Sequence, residues 1–71
     1  MSRLKLAIIG VGLIGGSLGL CLKDKLGEDI YITGLCRHQA SMDRAVELGA
    51  VDYASADVEA VVRDADIVFL S

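Results

Sequence analysis

Ile8-Ile9-Gly10-Val11-Gly12-Leu13-Ile14-Gly15-Gly16-Ser17-Leu18 is the stretch on which the fold of this 71-residue chain turns. An apolar run, residues 4–9, closes on Gly10, and the glycines at 10, 12 and 15 spell G-x-G-x-x-G. The pattern is weak alone. It gains weight here because it follows a predicted strand and opens a predicted helix. Gly10 permits the tight turn, Gly12 lacks a side chain where a pyrophosphate must approach the backbone, and Gly15 lets helix and strand pack closely. The first amides of a helix have no intrahelical acceptor, and the aligned peptide dipoles place roughly half a positive charge there. Gly10, Gly12, Leu13, Ile14 and Gly15 are therefore the candidate pyrophosphate contacts. The competing reading is a strand-to-helix turn that binds nothing, with Gly16 and Gly19 as close-packing positions. Ser17 suits either a phosphate oxygen or a backbone carbonyl.

Outward from that stretch, Ile14, Leu18, Cys21, Leu22 and Leu26 recur at helical spacing, which predicts a helix over 13–26 burying one stripe. Lys23 and Lys25 suit its negative end, and Gly27 can take the left-handed conformation that stops it. Ile30-Tyr31-Ile32-Thr33-Gly34-Leu35 is β-branched and aromatic and reads as a second strand. A helix from Gln39 to Leu48 follows, with Met42, Ala45 and Val46 on its buried face and Gly49 as its stop. A short third strand is expected around Ala50-Val51-Asp52. Asp57 is placed to cap a helix over 58–63, with Glu59 in its first turn. Ile67-Val68-Phe69-Leu70 carries no charge and is expected to be a central strand. The order β-α-β-α-β-α-β is the first half of a doubly wound α/β parallel sheet. Its last strand ends so near residue 71 that later cover for that strand is expected from a longer chain.

Composition narrows the function. Seven basic against ten acidic residues give a net charge of −3, so no diffuse positive field gathers a polyanion, and nucleic acid is not an expected partner. Charges at Lys5, Lys23, Asp24 and Lys25 interrupt each apolar run well short of the roughly 20 residues that cross a bilayer. No membrane span or signal peptide is read. Cys21 and Cys36 are too few for a disulfide framework and lack metal-ligand spacing, which predicts packing roles in a reducing cytoplasm and no metal site. A compact chain of this mass would expose about 4,200 Å² of the about 10,900 Å² open in the unfolded state. With 54% hydrophobic residues that burial is thin, and association or a larger context is expected.

The end of the second strand bears on which dinucleotide is bound. About 20 residues past the glycines an NAD site carries Asp or Glu, whose carboxylate accepts from a ribose hydroxyl and repels a 2′-phosphate. Here that position is Cys36, followed by Arg37 and His38. A guanidinium grips phosphate through paired hydrogen bonds and an adjacent histidine adds a donor, so NADP is expected before NAD. The bland alternative is an exposed polar loop. His38 would lie at the adenosine end and is not a candidate base. Asp64 and Asp66 read as turn residues. Ser71 ends a strand at the edge where ligands bind in this fold class and is a further candidate contact.

The run Ile8 to Leu18 resembles the start of the prephenate and arogenate dehydrogenases, whose fingerprint is G-L-G-L-I-G-G-S-L; Val11 stands where leucine is commoner. Arg44-Ala45-Val46-Glu47-Leu48-Gly49-Ala50-Val51-Asp52 and Asp64-Ala65-Asp66-Ile67-Val68-Phe69-Leu70 are similar to that family's A-x-E-x-G-x-x-D and A-D-x-V patterns. The resemblance implies a Rossmann-type domain, of which residues 1–71 are the N-terminal portion. It also implies NAD(P)-dependent oxidative decarboxylation of prephenate or arogenate in tyrosine biosynthesis, and a homodimer formed through C-terminal helices. The family's catalytic histidine and substrate-binding arginines have no counterpart here, so no catalytic residue is expected in this chain. Two alternatives share the glycines: a β-hydroxyacid dehydrogenase or imine reductase, and a non-catalytic module that senses nicotinamide nucleotides.

Overall fold

The computed structural model describes residues 3–10 and 13–70, with positions 13–15 described by their backbone alone. Four strands, β1 (Leu4–Ile9), β2 (Ile30–Leu35), β3 (Tyr53–Ser55) and β4 (Ile67–Leu70), form one parallel sheet in the order β3-β2-β1-β4. Between them run α1 (Leu13–Leu26), α2 (Gln39–Glu47) and α3 (Val58–Val62). This is the α/β architecture expected, a partial Rossmann-like sheet wound in both directions from β1.

Register assigns the faces. Leu6 pairs with Ile32 and Ile67, and Ile8 with Gly34 and Phe69. With Ile30 these side chains share one face, where Leu6, Ile8, Ile30 and Ile32 are buried with Ala45 of α2 and Val51, and Leu22 of α1 packs against them. The opposite face carries Ala7, Tyr31 and Thr33, and α3 lies over it: the Thr33 hydroxyl donates to the Val61 carbonyl at 2.9 Å. Two crossovers on one face and one on the other bring α1 and α2 to the same side.

α1 spans the residues expected, but its buried stripe is narrower. Leu18 and Leu22 are half-buried and Gly19 is buried, whereas Cys21 and Leu26 are exposed. The helix meets its neighbours along Gly19, where a Cβ would run into the Ala50 carbonyl; Gly16 has nothing around it within 4 Å. Of the two glycines read as packing positions, only Gly19 is one. Gly27 takes φ +54 and leads into a single 3-10 turn, Gly27–Asp29, before β2.

α2 ends at Glu47, with Leu48 as its C-cap and Gly49 at φ +78. Met42 and Ala45 face inward; Val46 is exposed, against expectation. The third strand also lies later than expected. The Ala50 and Val51 amides still donate to the Ala45 carbonyl, at 3.0 and 3.4 Å, which ties them to the helix end. Asp52 makes the connection to the sheet: its amide donates to the Ile32 carbonyl at 2.7 Å, and its carboxylate accepts from the Ile32 amide at 2.8 Å. Lys23 closes this corner, donating to Asp52 at 2.9 Å and to the Ile30 carbonyl at 3.2 Å. Its charge therefore serves a specific partner as well as the end of α1.

Asp57 caps α3 as expected, accepting from the Glu59 amide at 3.1 Å. β4 pairs with β1 at one end of the four described strands, and its other edge has no cover from these residues, as expected. Ile67, Val68 and Leu70 are 51%, 46% and 75% exposed. The accessible surface of 4741 Å² accordingly exceeds that of a compact chain this size. No helix among the described residues is long and apolar enough to cross a membrane.

Candidate dinucleotide site

Parallel register brings the carboxyl ends of all four strands to one edge: Ile9 lies opposite Leu35 and Leu70, and Leu35 opposite Ser55. β1 leads into α1, β2 into α2 and β3 into α3 at that same edge, so all three helix N-termini face it. Each brings the positive end of its dipole to this edge, and α1 does so directly after β1, from which the strand order runs in both directions.

Gly10 leaves β1 at φ +80, a conformation that costs an L-residue about 1–2 kcal/mol. The sequence supplies glycine where the chain must turn sharply off the strand. Leu13, Ile14 and Gly15 form the first turn of α1, which has no acidic residue to repel an anion. Gly12 and Ser71 fall outside the described residues. Gly16, half-buried in the next positions of α1, could take a methyl group without contact, so the protein's own packing does not require glycine there.

At the end of β2, Cys36 is buried and its amide donates to the Ser55 carbonyl at 3.0 Å, which locks the second loop to β3. Burial pushes the Cys36 thiol up from its ordinary value, so the group standing where an acid would sit remains neutral around pH 7. Arg37 and His38 are exposed. His38 is the N-cap residue of α2; its carbonyl accepts from the Met42 amide at 3.0 Å, and its imidazole makes no capping bond. The first turn of α2 also lacks an acid. The Asp57 carboxylate, which shares this edge, turns back to cap its own helix.

These features fit an anionic dinucleotide: a left-handed glycine at the turn, acid-free first turns on two helices, and a neutral thiol beside two exposed basic side chains. Asp66 belongs to the other end of the sheet, where its carboxylate accepts from the Lys5 amide at 2.9 Å and its amide donates to the Lys5 carbonyl at 2.7 Å. It is a structural residue, as expected from the sequence. Ser55 was not singled out by the sequence; the pairing of β3 with β2 and the Cys36 bond, neither visible in a motif, bring it to this edge.

No family model matches the chain. Among solved structures it is similar to the crystal structure of Synechocystis arogenate dehydrogenase, with 37% sequence identity and a TM-score of 0.83 over 94% of its own length. The chain spans 23% of that protein. With this identity and this superposition, the chain corresponds to a segment of that arogenate dehydrogenase and shares its dehydrogenase-type fold.

Proposed function

We propose that the chain supplies the cofactor-binding segment of an NADP-dependent dehydrogenase acting on prephenate or arogenate. The observation that carries this reading is the meeting of the N-termini of α1 and α2, whose first turns hold no acid, with Gly10 and the Arg37–His38 pair at one sheet edge. The nicotinamide, when bound, accepts the hydride whose departure accompanies loss of carbon dioxide from the substrate ring. The residues of this chain do none of that chemistry. The backbone at Gly10, Gly12, Leu13, Ile14 and Gly15 holds the pyrophosphate. Arg37, with His38 beside it, grips the adenosine 2′-phosphate in charge-assisted hydrogen bonds that a ribose hydroxyl cannot replace. Neutral Cys36 offers no carboxylate to repel that phosphate.

The test is NADPH titration of the protein and of Gly12→Val. The added side chain fills the space a pyrophosphate needs, and affinity is expected to fall by about 30- to 150-fold, the loss of about two to three kcal/mol of charge-assisted contacts. Undiminished binding would remove the loop from the site.

A further inference from the structure

A hollow apart from the nucleotide edge lies between α3 and the sheet, with a volume of about 180 Å³. Its cause is legible in the packing. Thr33 fixes the height of α3 over β2 through its 2.9 Å bond to the Val61 carbonyl. The helix then offers Ala60 and Val61 over this space, while the sheet offers Tyr31 and Tyr53. Lys5, paired with Tyr31 across the β1–β2 register, and Asp64, just past the end of α3, complete the rim.

Among the described residues, the two phenols, the Lys5 ammonium and the Asp64 carboxylate have no hydrogen-bond or ion-pair partner. Tyr31 is held by the Arg3 guanidinium, 5.1 Å above its ring. A concavity with aromatic walls and a few convergent polar groups is the usual form of a small-molecule site. The two opposite charges line one hollow without satisfying each other, and that selects against a ligand bearing one charge alone. We propose that this hollow binds a small zwitterion with an apolar or aromatic body, an α-amino acid in chemical class. Lys5 faces its carboxylate, Asp64 its ammonium, and the tyrosine rings its side chain. Occupancy leaves the nucleotide edge free, because Lys5 and Tyr31, the second residues of β1 and β2, place the hollow towards the amino ends of those strands.

The experiment is amide chemical-shift mapping with three probes of the same ring: L-phenylalanine, 3-phenylpropionate and 2-phenylethylamine. L-phenylalanine is expected to shift the amides of residues 31–33, 53 and 60–65 with a dissociation constant on the order of 1 mM, and to bind about tenfold tighter than either singly charged probe. Ala60→Leu, at an exposed position, fills the hollow and should abolish the shifts. Asp64→Asn should bring L-phenylalanine down to the level of 3-phenylpropionate. Equal binding of all three probes, shifts confined to the nucleotide edge, or saturation unchanged in Ala60→Leu would each overturn the proposal.

Discussion

Gly19 in α1 and the carbonyl oxygen of Ala50 lie so close that no side chain fits between them, whereas a methyl group on Gly16, one helical turn earlier, would meet open space. The two glycines of one helix are thus held by different causes. Gly19→Ala must push α1 away from the α2–β3 connection and is expected to cost about 1–3 kcal/mol. Gly16→Ala relieves the poor helix propensity of glycine and is expected to stabilise by up to about 1 kcal/mol. Urea denaturation of the two variants, read by far-ultraviolet circular dichroism, checks the opposite signs.

The corner built by Lys23 and Asp52 makes a second prediction. Asp52 accepts from both Lys23 and the Ile32 amide, so Asp52→Ala leaves a strand amide and a half-buried ammonium without their partner. The expected loss is about 2–3 kcal/mol. Lys23→Met keeps the aliphatic stem and the Asp52–Ile32 bond, and should cost about 1 kcal/mol. Equal losses in thermal denaturation would contradict this ranking.

Cofactor choice is expected to rest on Arg37. Arg37→Ala should weaken NADPH binding by about ten- to a hundredfold, the equivalent of one charge-assisted contact, and leave NADH binding unchanged. Fluorescence titration with each cofactor separates this from damage to the glycine loop, which would weaken both.

The two thiols should differ in reactivity. Cys21 is exposed on α1, and Cys36 is buried with its thiol pushed up by desolvation. At mildly alkaline pH an alkylating reagent is expected to label Cys21 first and Cys36 at least about tenfold more slowly, measured by mass spectrometry of timed samples. The same shift carries a sign for stability. A thiol whose folded value is raised stays protonated longer in the native state, so its contribution is intact below the unfolded thiol value and falls away as pH rises through the folded one. Cys36→Ser should reduce that alkaline loss.

Much of this fold is local and was therefore legible. The glycine pattern after an apolar run, the β-branched second strand and the Asp57 cap each act over a few residues, and each lies where the sequence puts it. The misses share a physical origin. Cys21 and Leu26 have the right spacing for a buried face, but the close approach at Gly19 decides which side of α1 is covered. The third strand begins only at Tyr53 because Ala50 and Val51 remain bonded to the end of α2, a competition no strand propensity reports.

The sequence by itself determined the alternation of strands and helices, the glycine turn after β1, and the absence of an acid after β2, since each depends on backbone preference and residue chemistry within short reach. Only the tertiary structure decided that β4 pairs with β1, that Lys23 and Asp52 lock a corner, and that Cys36 is tied to Ser55. These are contacts between residues far apart in the chain, chosen by which surfaces meet once the sheet has assembled, and pairwise spacing carries no record of them.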